Sequence, residues 1–256
     1  MERSVVSKGT GIGAGIANIK RPLTSVDLAI FGIVGGKLCV LLVKRGGAKD
    51  EPYPGAWALP GGFIDIDRDR DLEACAIRKL KEKAGVTSPY LEQLGSWGDA
   101  KRDPRGWSAT HAFFALIPTE GLTVTAGANA AEAVWVQITS SGVGRRLAFD
   151  HSRILQAAIE RLRGKVEYTS LPVYLLEPEF TLTDLQRVYE IVLDRPLEKS
   201  AFRTRILAAG FIEPTSNFRG GSNRPAQLYR LKQGEGVTYF ARNFEPRRER
   251  RGGERA

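Results

Sequence analysis

The 256-residue chain is 42% hydrophobic and 26% charged with a formal net charge of +9, a globular composition with room for two domains. No apolar run approaches the roughly 18 residues needed to span a bilayer, so no helical membrane span or membrane partner is expected. Two cysteines, Cys39 and Cys75, outside any CxxC pair, exclude a disulfide framework and fit a reduced, cytoplasmic setting.

Residues 1–24 are glycine-rich and basic, lack the solid apolar stretch of a signal peptide, and read as a flexible tail. The run Gly9-Thr10-Gly11-Ile12-Gly13 follows no strand, so it belongs to that tail rather than to a nucleotide loop. Residues 26–34 and 38–43, joined by Gly35-Gly36-Lys37, predict two buried strands and a tight turn. Residues 56–62 predict a short strand ending in a loop. Leu72, Ala76, Ile77, Leu80 and Ala84 have helical spacing, with Gly85 as the C-terminal cap. Strands near 91–95, 108–117 and 133–136 and a helix over about 151–163 follow. Strands flanking helices, with hairpins, predict an α/β/α sandwich with a mixed sheet over residues 25–168.

A second domain is expected over residues 175–234. Thr181 to Asp184 caps a helix carrying Leu185, Val188, Tyr189, Ile191 and Val192 on one stripe. A turn at Arg195-Pro196-Leu197 leads to a second helix, 198–209, stopped by Gly210. A hairpin with a glycine-rich basic tip completes the pattern of a winged helix-turn-helix. Between Lys199 and Lys232 seven basic residues face the single acid Glu213, a net +6 that attracts a polyanion. Residues 241–256 read as a disordered, arginine-rich tail.

The first domain resembles the Nudix family, whose signature runs G-x5-E-x7-R-E-U-x-E-E-x-G-U, with U aliphatic. Arg78, Leu80, Glu82, Gly85 and Val86 match it, as does the upstream run Leu59-Pro60-Gly61-Gly62-Phe63. Lys79 and Lys83 stand where the family has metal-binding glutamates. Two extra residues fall within 65–71, and the upstream glutamate has no clear equivalent. Positions 79, 82 and 83 share one helix face. Where three carboxylates would carry −3, these side chains carry +1. A lysine ammonium about 4 Å from a divalent cation repels it by roughly 2 kcal/mol even in water's dielectric. The expectation is therefore no metal, no catalytic residues, no required cofactor, and a pocket suited to an anion.

With the basic second domain, the chain resembles the Nudix-related transcriptional regulators of NAD metabolism, the NrtR family. Residues 56–63, the loop Asp103-Pro104-Arg105-Gly106, the run Ala148-Phe149-Asp150-His151, and Phe180 through Gln186 carry the match. Tyr189, Glu190, Lys199, Phe202, Arg203, Arg219-Gly220-Gly221 and Arg224-Pro225-Ala226 extend it across residues 25–232. The resemblance implies a homodimeric repressor of NAD biosynthesis or salvage genes, sensing an NAD-derived nucleotide such as ADP-ribose or NAD.

For such a ligand, Arg45 and Arg105, with Asp103 in the same loop, are the phosphate-side candidates, because guanidinium forks match phosphate oxygens. Lys79 and Lys83 favour the same anion, and Gly61-Gly62 permits either close approach to phosphate or a tight turn. Trp57 and Trp107 offer surfaces for adenine. Arg78 and Glu82, a helix pair in which the family's arginine orients a box carboxylate, are also counted among the ligand-side residues; Arg102 reads as plain surface, and His111 and His151 read as satisfied structural histidines. On the DNA side, Lys199, Ser200, Arg203 and Arg205 open the recognition helix and Arg219 and Arg224 sit on the wing. A two-fold protein implies a palindromic double-stranded operator. Two other functions remain open from sequence. One is an active Mg²⁺-dependent ADP-ribose pyrophosphatase using Asp65, Asp67, Asp69 or Asp71 as substitute ligands. The other is a nucleic-acid module whose Nudix half serves only dimerisation.

Overall fold

The computed structural model describes residues 20–49, 51–85, 88–120, 130–220, 225–234 and 236–240. Most of the expected N-terminal tail, the whole C-terminal tail and wing-tip residues 221–224 lie outside the described residues. The first strand, β1 (Leu23–Val34), begins two residues inside the stretch read as a tail. Its run Leu28-Ala29-Ile30-Phe31 is buried throughout, as expected of a central strand covered on both faces. β2 (Lys37–Arg45) returns antiparallel, with Phe31 opposite Val40 and Val34 opposite Lys37. Gly35 and Gly36 have φ of 57° and 73°, the paired positive values that a two-residue hairpin turn demands.

Short strands β3 (Trp57–Ala58) and β4 (Gly61–Phe63) pair with β2 and with the start of β1, placing Gly61 opposite Asp27. β5 (Tyr90–Asp99) and β6 (Ser108–Leu116) are antiparallel, and β6 lies parallel to β1. β7 (Ala130–Gln137) pairs with β2. Side-chain alternation along these strands splits the sheet into two faces. Leu28, Ile30, Phe113 and Ala115 meet Cys75, Ala76 and Leu80 of α1 (Leu72–Ala84). Ala29, Phe31, Ala112, Phe114 and Leu116 meet Ile154, Leu155, Ala158 and Leu162 of α2 (His151–Val166). This is the expected α/β/α sandwich with a mixed sheet. The Asp71 side chain caps α1 by accepting from the Ala74 N–H at 2.7 Å, and Gly85, at φ 66°, closes it. Ile77, placed on the apolar stripe by sequence, is instead half exposed, because Cys75 and Ala76 take the sheet-facing positions.

α2 runs three residues past its expected end and passes into a 3-10 helix, Leu171–Leu175, that sequence periodicity does not reveal. Next come α3 (Leu182–Leu193) and α4 (Lys199–Ala209). At the start of α3, Thr181 and Asp184 form a reciprocal capping box. The hairpin β8 (Ile212–Arg219) and β9 (Ala226–Leu231) forms the wing, and Phe180 bridges to Tyr229 at its side. One apolar cluster continues from the sheet through Leu162, Val166 and Leu171 to Leu185, Val192, Phe202 and Phe211. Residues 236–240 then fold back onto the connection between the halves. Ser170 donates to the Thr238 carbonyl at 2.9 Å and the Phe240 N–H to Tyr168 at 2.8 Å.

Candidate ligand cleft and nucleic-acid interface

A cleft of about 280 Å³ opens where β1, β4 and β6 run past α1 and the first residue of α2. Its floor is buried and polar: Ser25, Asp27, Arg102, Asp103, Ser108 and His151. The rim is partly exposed and basic: Lys44, Arg45, Lys79 and Arg105 against the single acid Glu51, with Phe63 beside them. This separation of charge decides where an anion sits. Phosphate oxygens meet cations at the rim and carboxylates at the floor.

The floor is a closed network. Arg102 reaches Asp150 at 2.8 Å and Asp27 at 3.4 Å, so its charge is balanced on both sides. The Leu59 N–H donates to Nδ1 of His151 at 2.9 Å, which leaves the proton on Nε2, 3.5 Å from Asp27. Burial alone would push the Asp27 carboxyl up. His151, a Thr110 hydrogen bond and Arg102 outweigh it and hold Asp27 below the ordinary carboxylate range. Asp103 is also held low: burial opposes ionisation, but two side-chain hydrogen bonds and one backbone bond from Arg105 prevail. Arg102, expected to be plain surface, is therefore a buried linchpin. Sequence missed it because both its partners are remote, at positions 27 and 150.

Several expected ligand residues meet in this cleft. Arg45, Gly61, Gly62, Lys79, Asp103 and Arg105 all line it. Lys79 projects from α1 over Gly62, where a side chain would bring Cβ within 3.0 Å of Nζ. Lys79 makes no ion pair among the described residues, so its charge is available. The Arg45 guanidinium lies 4.9 Å from the Phe149 ring and its Nε donates to the Pro52 carbonyl at 2.8 Å. Gly61 answers the question left open by sequence: a Cβ there would collide with the Asp27 carboxylate and the Val26 carbonyl. Close packing against β1 requires that glycine.

Other expected ligand residues lie elsewhere. Trp57 does not line the cleft. Its strand neighbour Ala58 does, so alternation turns Trp57 to the opposite face, where Arg145 covers its ring at 4.3 Å. Trp107 is half exposed and also outside the cleft lining. The aromatics lining the cleft are Phe149, beside Arg45, and, at the rim, Phe63, 42% exposed with the Arg105 guanidinium 4.9 Å from its ring. Phe63 had been visible only as the last residue of the Leu59–Phe63 match. Arg78 and Glu82 pair at 3.0 Å but stand apart from the cleft. Arg78 is committed chiefly to Asp69 through Nε at 2.6 Å and Nη2 at 2.5 Å. The Lys83 side chain and Arg224 lie outside the described residues.

Three of the four acids of the inserted segment accept hydrogen bonds, and the Asp67 carboxylate is exposed. Asp69 is held by Arg78 and accepts from the Asp65 N–H at 2.9 Å. Asp71 caps α1, and Asp65 accepts from the Asp67 N–H at 3.2 Å. Among the described residues no group of three His, Cys, Asp or Glu side chains could hold a metal ion.

On the second domain, Lys199 and Ser200 are exposed at the first turn of α4. Phe202 and Ile206 form its core face, as expected. Ser200, Thr204 and Leu207, spaced four and three apart, share the outward face. Thr204 and Leu207 escaped a reading that followed basic residues, although their spacing from Phe202 and Ile206 marks them as outward. Arg203 is half buried, and its Nε has no hydrogen-bond partner. Arg205, expected on the DNA face, is exposed but tethered. It sits on the flank of α4, donates from Nη2 to the Glu167 carbonyl at 3.1 Å and covers Phe240 at 5.1 Å. Arg219 pairs with Asp184 at 2.7 Å, tying the wing to α3.

Comparison with known proteins places both halves. Residues 23–157 match the NUDIX domain family and residues 172–231 the NrtR DNA-binding winged helix domain. The ADPR responsive transcriptional repressor NtrR of Acinetobacter baylyi is 48% identical over 210 residues, which is 82% of either chain. The crystal structure of Shewanella oneidensis NrtR complexed with a 27mer DNA is 37% identical with a TM-score of 0.76, covering 87% of this chain and 99% of that one. The Nudix domain of the same Shewanella protein, crystallised with ADP ribose, is 36% identical with a TM-score of 0.50 over 60% of this chain and 99% of that one.

Proposed function

Because the chain belongs to the NrtR family of Nudix-linked transcriptional repressors, we propose that its cleft binds ADP-ribose and that this binding weakens its hold on DNA. One observation carries the reading: a single helix joins the two sites. The first residue of α2, His151, lines the cleft, and the turn after its end gives the Glu167 carbonyl to Arg205 of the recognition helix. Near the same end, Arg163 donates to the Val192 carbonyl at the end of α3. A displacement of α2 by ligand is delivered to the helix that reads DNA. The ligand can act only through a difference in affinity between the two arrangements.

In this reading Lys79, Arg45 and Arg105 hold the diphosphate, Gly62 lets it approach the backbone, and Phe63 offers the base a stacking face. Lys199, Ser200 and Thr204 face the major groove, while Arg219 and Arg224 serve the wing. The protein acts in the cytoplasm as a homodimer on a palindromic operator, controlling genes of NAD biosynthesis or salvage. It is catalytically silent: Lys79 stands where the family has a metal ligand, Asp69 and Glu82 are paired with Arg78, and Asp71 caps α1. An anisotropy titration on its own upstream DNA tests this: specific binding falls steeply with salt, and ADP-ribose weakens it without Mg²⁺. Binding no tighter than to random duplex, or indifferent to ADP-ribose and NAD, refutes the regulator. Mg²⁺-dependent release of AMP from ADP-ribose, abolished by Glu82→Gln, refutes the silence.

A further inference from the structure

The cleft floor holds a group that the fold leaves unanswered. Ser108 is 2% exposed, at the first position of β6, and its Oγ has no hydrogen-bond partner. Buried hydroxyls are normally paired, and alanine would fill this position without the penalty. The neighbours show what chemistry would pair it. Thr110, two residues along the same face, is satisfied by the Ser25 carbonyl, so the strand itself does not impose the deficit. Ser25 also lines the floor, and its hydroxyl reaches only a long 3.4 Å contact to the Ala109 carbonyl. The remaining floor groups are the ionised carboxylates of Asp27 and Asp103, Arg102, whose charge is already balanced, and His151, whose Nε2 faces Asp27 at 3.5 Å.

A phosphate is disfavoured here by two carboxylates without an uncommitted cation. An apolar group would leave the Ser108 hydroxyl unanswered. Sugar hydroxyls suit the floor, because each both donates to a carboxylate and exchanges a hydrogen bond with a serine.

We infer that the cleft floor is a sugar-hydroxyl subsite in which Ser108, with Asp27 and Asp103, selects a nucleotide that carries a free ribose beyond its diphosphate. This rests on the reading of the rim as a diphosphate site and adds a direction: the sugar enters first and the base stays at the rim beside Phe63. ADP, which lacks that ribose, then gains nothing from the floor. NAD, whose second ribose bears a bulky nicotinamide ring, meets buried walls around a cleft of about 280 Å³.

Calorimetry on the full chain with ADP-ribose, ADP and NAD, comparing wild type with Ser108→Ala, tests the subsite. Wild type prefers ADP-ribose to both. Ser108→Ala weakens ADP-ribose about fivefold, the worth of one hydrogen bond, and leaves ADP within about twofold. The same substitution leaves the ligand-free melting temperature unchanged or raises it, because it removes an unpaired buried hydroxyl. Lower stability with equal loss of both ligands would make Ser108 a structural residue and overturn the inference. So would an unchanged ADP-ribose affinity. Lys79→Ala separates the two levels, since it weakens ADP-ribose and ADP alike if the rim holds the diphosphate. Wild type that binds none of the three nucleotides overturns the diphosphate reading and the subsite with it.

Discussion

Asp69 and Arg78 show how a single altered side chain changes what its neighbours can do. The Asp69 side chain is 1% exposed and takes two hydrogen bonds from Arg78, which hold its carboxyl far below the usual range. Asp69→Asn leaves the Arg78 charge without its main partner and costs about 3 kcal/mol, read as a shift in denaturant midpoint. The pH dependence follows from the lowered folded-state value. The contribution is complete above the unfolded carboxyl pKa of about 3.9 and is lost as pH falls toward the lower folded value. Wild type and Asp69→Asn therefore converge in stability below about pH 4. Gly61→Ala is expected to cost about 2 kcal/mol, because the new Cβ must push Asp27 and Val26 apart. Calorimetric melting gives the stability loss, and a parallel titration with ADP-ribose shows the floor deformed.

At the scale of elements, α4 separates exposed residues proposed to meet DNA from residues that hold the helix in place. Lys199→Ala removes an exposed cation and should lower the slope of log affinity against log salt by about one. Arg205→Ala should leave that slope unchanged and reduce the effect of ADP-ribose on DNA binding. Its guanidinium is occupied by the Glu167 carbonyl and the Phe240 ring. Anisotropy titrations at several salt concentrations, with and without ligand, measure both. Thr181→Ala breaks the cap of α3 and costs about 1 kcal/mol by the same melting assay. The strands and helices themselves were legible from the chain because period-2 and period-3.6 patterns report which face is buried. The tight turn at Gly35-Gly36 and the α3 cap were equally plain, since each depends on residues adjacent in sequence. The cleft was only half legible. Arg45, Lys79 and Arg105 announce themselves by charge, but Arg102 and His151 matter through partners at positions 27, 59 and 150, and Ser108 through its lack of one, none of which a local pattern reveals. Trp57 misled for the complementary reason: residue type suggested stacking, whereas strand alternation turned it away.

Across the whole molecule, the two recognisable halves are not two separate cores. The apolar cluster runs from Phe31 and Phe114 through Leu162 and Leu171 into Leu185, Phe202 and Phe211 without a polar break. The 3-10 helix Leu171–Leu175, invisible to periodicity, lies in the middle of that run and is buried at Leu171, Pro172, Val173 and Leu175. The consequence concerns modular reuse. A chimera cut at the apparent boundary near residue 170 would strip Val166 and Leu171 from their partners and leave an oily scar on each fragment. Grafting this reader onto another sensor would require α2, the 3-10 helix and residues 236–240 to travel with it as one cassette. The winged helix is a domain by homology, but for an engineer the transplantable part begins at Asp150.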